Sequence, residues 1–486
     1  MAPAATAAAE SRTTFSALLW NYGSAVAGAL LQLGYTALTA RVVSPDGFGA
    51  FAAAGAALTV MGYVAGAGLA TYLLRAERLT RQTVRTAYRV SLASGALCCL
   101  ATLAVAPLCA DLWGLPAIEP TVQLYALYFL PQPASLVALA ALRRLDRARL
   151  CAVTETVAQL VGMATGAVLL TAGWSPYGLV VAQCVAPAVT LAVAGRRLAQ
   201  CRLPSGPAVR SREMLGLSGA FAGYGMIQVL SADVPLWAIT RYLGPAAVGE
   251  FSRAALAVGL PVAMLGQGLR RSVMPSMARL NGGGRSLAGA LPDMLSAASA
   301  VAFVSFGALA GVGPAALHLL LGPGWDVAAA LMPVFAVGAP LVLLCQFSYA
   351  VDEILRATGP LLRTQLLVLA ATVAGVLSLV AAGRSLALLA LATSLAAGAG
   401  HLGQLVRWSR RGLCRPAQLV RPYAVHALVG AALCAGGRVA AGFGTGPLSQ
   451  LAHGILGMVP VLIGCVAVRR RLPLYTVAVS RGLVAH

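Results

Sequence analysis

The stretch that decides the fold occurs twice in this chain. The first copy reads Arg41-Val-Val-Ser-Pro45-Asp-Gly-Phe-Gly49-Ala-Phe51, and the second reads Arg241-Tyr-Leu-Gly-Pro245-Ala-Ala-Val-Gly249-Glu-Phe251. Arg, Pro, Gly and Phe recur in register, and each copy follows a long apolar segment. This internal similarity predicts a chain built from two related halves.

Composition places the chain in a lipid bilayer. Hydrophobic residues make up 59% and charged residues 10% of the sequence, and the mean hydropathy is +0.82. A bilayer span needs about 20 mostly apolar residues, and such runs follow one another almost from end to end. They predict an all-α polytopic membrane protein with about fourteen helices, at residues 15–39, 48–71, 89–110, 121–142, 150–172, 177–195, 214–240, 249–269, 292–313, 327–349, 364–382, 385–406, 422–441 and 447–468.

The charges predict an orientation. The net charge is +21, and all 35 basic residues are arginine. Thirty of them lie in every second predicted loop or in the tails, on one side of the membrane. The exceptions are Arg253, inside a predicted helix, and four residues in the loops on the other side, Arg41, Arg241, Arg384 and Arg438. Since basic loops stay in the cytoplasm, both termini are predicted to be cytoplasmic. The basic clusters alternate with apolar runs along the chain. Membrane topology explains this alternation better than nucleic-acid binding does.

The residue inventory argues against catalysis. Without lysine the chain has neither a Walker A loop nor a Schiff-base nucleophile. The ten cysteines form no Cys-x-x-Cys pair, and the five histidines form no metal-ligating pattern. The loops on the outer side are short and hold no paired carboxylates. We therefore predict no catalytic residue, no cofactor and no metal site, but a secondary carrier or facilitator.

Two charged residues lie inside predicted helices and are the main candidate site. Asp233 falls in the seventh helix and Arg253 early in the eighth. Each charge costs roughly 2.5–3.5 kcal/mol in a membrane span. They form either a structural ion pair, or a functional site in which Asp233 carries a coupling ion and Arg253 meets an anionic headgroup. Gln32 and Gln228 are candidates for hydrogen bonds to a sugar.

The same motifs resemble a known family. Residues 40–51, which follow the first predicted helix, are similar to the Arg-x-Leu-Gly-Pro-x-x-Phe-Gly signature of polysaccharide flippases. These form the polysaccharide transporter branch of the multidrug/oligosaccharidyl-lipid/polysaccharide exporter superfamily. Residues 241–245, 248–255 and 274–280 resemble the same family. Ser44 stands where the signature has Gly.

The resemblance implies two six-helix lobes related by an axis along the membrane normal. Residues 1–212 would form the first lobe and residues 213–412 the second, with 413–486 supplying helices 13 and 14 and a basic cytoplasmic tail.

The implied function is the flipping of a polyprenyl-pyrophosphate-linked oligosaccharide across the bacterial cytoplasmic membrane by alternating access, for cell-surface polysaccharide export. Arg253 would contact the pyrophosphate, Asp233 would couple transport to H⁺ or Na⁺, and Arg41 and Arg241 would guard the outer mouth. The implied partners are the lipid-linked oligosaccharide, membrane lipids, and glycosyltransferases or a polymerase of the pathway. The alternative is a cation-coupled multidrug exporter of the same superfamily.

Overall fold

All regular elements that the structure describes are helices. The computed structural model describes residues 27–66, 68–76, 78–206, 211–282, 287–355, 358–381, 383, 385–469 and 473. The α-helices are α1 (27–39), α2 (Pro45–Gly66), α3 (Leu69–Arg75), α4 (Arg81–Trp113), α5 (Glu119–Ala126), α6 (Gln132–Arg144), α7 (Ala148–Thr171), α8 (Tyr177–Ala199), α9 (Ser211–Leu243), α10 (Pro245–Gly282), α11 (Leu291–Leu321), α12 (Asp326–Ile354), α13 (Thr358–Ala381), α14 (Leu386–Arg410), α15 (Ala417–Ala441) and α16 (Pro447–Ala467).

The predicted fold class is confirmed. Twelve segments within the described residues are long and apolar enough to cross a membrane. The described part of α1 and the 33-residue helix α9 correspond to the first and seventh predicted helices. The predicted helix at 15–39 is described only from residue 27, and most of the basic C-terminal tail lies outside the described residues.

Two predicted helices are interrupted in the structure. The helix predicted at 48–71 is divided between α2 and α3, with Gly68 at a φ of 64°. That left-handed conformation suits glycine, which lacks a Cβ. The helix predicted at 121–142 is divided into α5 and α6 by a 3₁₀ turn at Leu127–Phe129. Pro131 and Pro133 follow this turn and interrupt the regular hydrogen bonding of the helix.

Several predicted loops are instead helical. The loop predicted at 241–248 is reduced to Gly244, whose φ is 84°, between α9 and α10. The helix α10 continues to Gly282, well beyond the predicted end at residue 269. Hydropathy locates only the part of a helix inside the bilayer, whereas good helix formers such as Arg, Met and Leu continue the helix beyond it.

The chain forms two compact units, with the boundary between Gly249 and Glu250. The first unit has a core in which Leu73 of α3 and Val84 of α4 pack with Leu142 of α6 and Leu198 of α8. In the second unit, Leu295 of α11 and Trp408 of α14 belong to a separate core. The predicted lobe boundaries at residues 212 and 412 stay predictions.

The two copies of the repeated motif contact each other within the first unit. A Cβ added at Gly49 would overlap the backbone carbonyl of Pro245, and a Cβ added at Gly249 would overlap that of Pro45. The contact is therefore reciprocal, since each copy places its glycine against the proline of the other. Glycine at such a crossing lets two helix backbones approach closely. The Gly and Pro shared by the two copies thus have a common structural role.

Candidate functional site

A cavity of about 460 Å³ opens in the first unit between α2 and the α5–α6 segment. Gly55, Thr59, Gly62 and Gly66 of α2 all line it. Their spacing of four, three and four residues places them on one helix face. A Cβ added at Gly55 or Gly62 would lie 3.8 Å from its nearest neighbouring side chain, and at Gly66 it would meet nothing within 4 Å. The small residues of α2 therefore leave the space that forms the cavity.

Aromatic side chains form the opposite wall. Tyr125, Tyr128 and Phe129 line the cavity. The rings of Tyr125 and Tyr128 lie 5.8 Å apart in an edge-to-face arrangement, as do those of Tyr128 and Phe129, and Phe51 stacks on Tyr125 at 6.0 Å. Tyr63 of α2, 37% exposed, also lines the cavity. Such ring pairs stabilise one another in fixed orientations.

Asp233 lies behind the cavity wall. Helix α9 packs against α2, Asp233 is only 8% exposed, and its carboxylate lies close to the Thr59 side chain. Thr59 also lies 2.9 Å from the carbonyl oxygen of Gly55. Among the described residues, neither Asp233 Oδ2 nor Trp237 Nε1 one turn later has a hydrogen-bond partner. Asp233 thus lies beside a residue that lines the cavity.

The other predicted site residues of the first unit lie apart from this cavity. Arg41 and Arg241 are both exposed and lie at the ends of α1 and α9. The Arg241 guanidinium lies near Gly114, the C-cap of α4; a Cβ added there would be 3.2 Å from it. Gln32 is half-buried in α1, and Gln228 is exposed on α9. Their roles in substrate binding stay predictions.

Arg253 belongs to the second unit. It is half-buried in α10, three residues after Glu250. The Glu250 carboxylate accepts a hydrogen bond of 2.6 Å from the backbone N–H of Ala328 in the first turn of α12, where a negative charge is stabilised by the helix dipole. Since Asp233 and Arg253 fall in different units, their predicted pairing stays a prediction.

The sequence matches a family model described as "Polysaccharide biosynthesis protein" over residues 38–330. The chain belongs to this family. The matched segment includes both copies of the repeated motif, and the resemblance drawn from those motifs is confirmed. No curated protein sequence matches this chain significantly.

Several solved structures have a fold similar to that of this chain. The lipid II flippase MurJ in an inward closed conformation is 14% identical, with a TM-score of 0.72 over 94% of this chain and 99% of that one. The MATE multidrug transporter DinF-BH is 15% identical, with a TM-score of 0.61 over 83% of this chain and 96% of that one. A transporter of the multidrug/oligosaccharidyl-lipid/polysaccharide (MOP) superfamily from Pyrococcus furiosus is 16% identical, with a TM-score of 0.55 over 82% of this chain and 95% of that one. At 14–16% sequence identity, the similarity to these structures shows only a shared fold.

A buried charged cluster in the second unit was missed by the sequence analysis. Asp352 near the end of α12 is 1% exposed and forms an ion pair with Arg407 of α14. Trp408 Nε1 donates to Asp352 Oδ1 at 2.9 Å, and Gln404 Nε2 donates to Oδ2 at 3.2 Å. Arg407 also donates to Thr364 of α13 at 3.2 Å. The cluster joins three helices, and no sequence motif marked it because Asp352 and Arg407 lie 55 residues apart.

Two histidines of the second unit also have polar partners. His401 Nδ1 lies 2.8 Å from the Ser348 hydroxyl, and its Nε2 lies 3.1 Å from the Tyr423 hydroxyl. His426 Nδ1 lies 2.8 Å from the Ser299 hydroxyl. These bonds connect α15 to α11 and α14. No group of three His, Cys, Asp or Glu side chains within the described part of the chain is placed to hold a metal ion.

Proposed function

We propose that this protein flips a polyprenyl-pyrophosphate-linked oligosaccharide from the inner to the outer leaflet of a bacterial cytoplasmic membrane. The supporting observation is the family match over residues 38–330 on a chain with a MOP-superfamily transporter fold. Flipping by alternating access moves the polar head through the protein while the lipid tail stays in the bilayer. The product would serve cell-surface polysaccharide export, beside glycosyltransferases or a polymerase of the same pathway.

The proposed roles of the charged residues follow from the chemistry of the headgroup. A guanidinium binds phosphate oxygens through two parallel hydrogen bonds, which suits Arg253 inside α10 for contact with the pyrophosphate. Arg41 and Arg241 would attract the anionic head at the outer mouth. Asp233 would carry the coupling H⁺ or Na⁺, and Gln32 and Gln228 would bind sugar hydroxyls. In this proposal residues 1–212 and 213–412 form the two moving lobes, and both termini are cytoplasmic.

One observation favours a second candidate function. A buried carboxylate such as Asp233 suits the export of organic cations, and the MATE multidrug transporter DinF-BH has a similar fold. In that case the protein would be a cation-coupled multidrug exporter. The two candidates differ in the charge of what crosses the membrane.

A reconstituted system distinguishes them. Purified protein in proteoliposomes receives a polyprenyl-pyrophosphate-linked oligosaccharide, and the fraction of sugar accessible to an external lectin is followed with time. Rhodamine 6G efflux from the same vesicles, driven by an imposed H⁺ or Na⁺ gradient, is the competing measurement. Protein-dependent lectin access without dye efflux supports the flippase, whereas dye efflux without flipping would reassign the protein as a drug exporter.

The same assay tests Arg253. Arg253→Lys keeps the positive charge but loses the bidentate geometry, so we expect flipping to fall at least tenfold while the protein still inserts and folds. Arg85→Lys, at an exposed position of α4, is the matched control and should flip at the wild-type rate. Normal flipping by the Arg253→Lys variant would remove Arg253 from pyrophosphate binding.

A further inference from the structure

We propose that the cavity between α2 and the α5–α6 segment binds a neutral sugar ring, separately from the pyrophosphate. The inference depends on the proposed function only for the source of the sugar. The cavity itself, about 460 Å³, lies within the range of roughly 300–1,000 Å³ found for small-molecule sites.

The shape of the cavity suits a flat ring. On one side, Gly55, Gly62 and Gly66 present no side chain, so the α2 backbone lines the space directly. On the other side, Tyr125 and Tyr128 present rings that are only half-buried. A pyranose places its ring C–H groups, which carry partial positive charge, against the negative face of an aromatic ring.

The polar groups of the lining suit sugar hydroxyls. Thr59 and Thr71 contribute hydroxyls and Gln132 contributes an amide with two donors and an acceptor. These groups both donate and accept hydrogen bonds, as a sugar hydroxyl also does. Apolar walls with a few such groups are typical of sites that fix the orientation of a small ligand.

The absence of charge decides between the candidate ligands. None of the described lining residues carries a charged side chain, and Asp233, close to Thr59, is not one of them. A pyrophosphate would find no cation here, and an organic cation would find no carboxylate in contact with it. A neutral polyhydroxylated ring needs neither. The sugar and the pyrophosphate would therefore be bound in different places, with the first unit contributing to sugar selectivity.

Filling the cavity tests the proposal. In Gly62→Leu the new side chain enters open space, since a Cβ there lies 3.8 Å from Phe129, and leucine favours helix over glycine. Gly464→Leu on α16 is the matched control, because a Cβ at this glycine meets nothing within 4 Å and the residue lies outside the cavity. Tyr63→Ala removes a partly exposed ring of the lining, and Tyr63→Phe keeps the ring.

Binding is measured by saturation-transfer NMR on protein in nanodiscs. The probes are methyl glycosides of glucose, galactose, mannose and N-acetylglucosamine, with inorganic pyrophosphate and rhodamine 6G for comparison. We expect at least one glycoside to bind wild-type protein and the Gly464→Leu variant, and to lose binding in Gly62→Leu. Tyr63→Ala should weaken binding about three- to tenfold, and Tyr63→Phe should not.

The outcomes separate this inference from the proposed function. Failure of every glycoside to bind, equal glycoside binding in Gly62→Leu, or loss of pyrophosphate or rhodamine binding in that variant overturns the sugar site. If Gly62→Leu fails to fold, the two Tyr63 variants decide: equal glycoside affinities overturn the proposal. Flipping of the lipid-linked oligosaccharide by wild-type protein is measured in parallel, and that result alone tests the proposed function.

Discussion

Thr59 is the residue that connects the buried carboxylate to the cavity. Its hydroxyl donates a hydrogen bond to the Gly55 carbonyl oxygen 2.9 Å away, and the Asp233 carboxylate lies close to the same side chain. A hydroxyl donates only one hydrogen bond, so a hydrogen bond from Thr59 to Asp233 would have to replace the one to Gly55. Since Thr59 and Gly55 both line the cavity, a proton or cation at Asp233 would change the polarity of the cavity wall.

The role of Asp233 is tested by removing its charge while keeping its shape. If Asp233 is the coupling carboxylate, we expect Asp233→Asn to retain substrate binding but to lose the dependence of transport on an imposed H⁺ or Na⁺ gradient. Binding and gradient-driven flipping are measured in the same proteoliposomes. If it is instead a structural ion-pair partner of Arg253, the single variant is destabilised and the double variant with Arg253→Gln recovers both folding and gradient-driven flipping. That recovery would refute the coupling role.

At the scale of the helices, two glycines allow the first turns of α2 and α10, at residues 45–49 and 245–249, to cross closely. Because a Cβ at Gly49 or Gly249 would overlap a backbone carbonyl rather than a flexible side chain, the helices would have to separate to admit it. The two contacts are reciprocal, so the two glycines should tolerate substitution equally poorly. The Gly and Pro identities between the copies therefore reflect a structural requirement of this crossing.

Alanine substitution measures that requirement. Gly49→Ala and Gly249→Ala should each destabilise the protein by about 1–3 kcal/mol or more, the cost of overpacking a tight contact. Gly34→Ala is the control, because a Cβ at Gly34 in α1 meets nothing within 4 Å. Thermal unfolding of the solubilised variants gives the comparison. If all three variants unfold at the wild-type temperature, the crossing is not a close backbone contact.

The Asp352–Arg407 pair joins α12 to α14 and is expected to stabilise the second unit. Asp352→Ala leaves the Arg407 charge without its partner, and breaking a buried pair in this way costs about 3–5 kcal/mol. Replacing both residues, as in Asp352→Leu with Arg407→Met, should recover much of that loss.

Glu155→Ala is the control. It breaks an exposed pair, in which Arg143 and Glu155 are 42% and 40% exposed, and should cost less than about 1 kcal/mol. Equal losses in the unfolding temperature for the Asp352 and Glu155 variants would contradict the role of the buried cluster.

At the scale of the whole molecule, the arginines are distributed asymmetrically along the chain. They concentrate in alternate connections, such as those at residues 143–149, 196–202 and 407–415. The connections between these contain few basic residues. The positive-inside rule therefore predicts that the arginine-rich face is cytoplasmic.

Site-directed labelling tests this orientation. Single cysteines are introduced at exposed positions of a variant without the ten native cysteines and treated in intact cells with a membrane-impermeant thiol reagent. Cysteines replacing Asp46, Pro116 and Thr445 should react, and those replacing Arg147, Ser205 and Arg411 should react only after the membrane is opened. The reversed pattern would invert the predicted topology.

The sequence by itself determined the membrane class, the order and approximate number of the helices, the internal repeat and the family resemblance. Hydropathy and charge act locally, so a window of about 20 residues is enough to recognise a span. It also identified Asp233 and Arg253, because a charge within an apolar run is visible without knowing its neighbours. The break at Gly68 and the extension of α10 to Gly282 were not predicted, since hydropathy does not report backbone conformation.

Only the tertiary structure decided which side chains come together. In the sequence, nothing distinguishes Thr59 and Tyr125 from the other residues of the predicted helices. They line the same cavity only because α2 packs against α5. Asp352 was not singled out at all, although its partner Arg407 stood in a basic cluster assigned to topology. Packing brings together residues that are far apart in the chain, and in a protein that is apolar nearly throughout, the pattern of hydrophobicity does not specify which helix faces will meet.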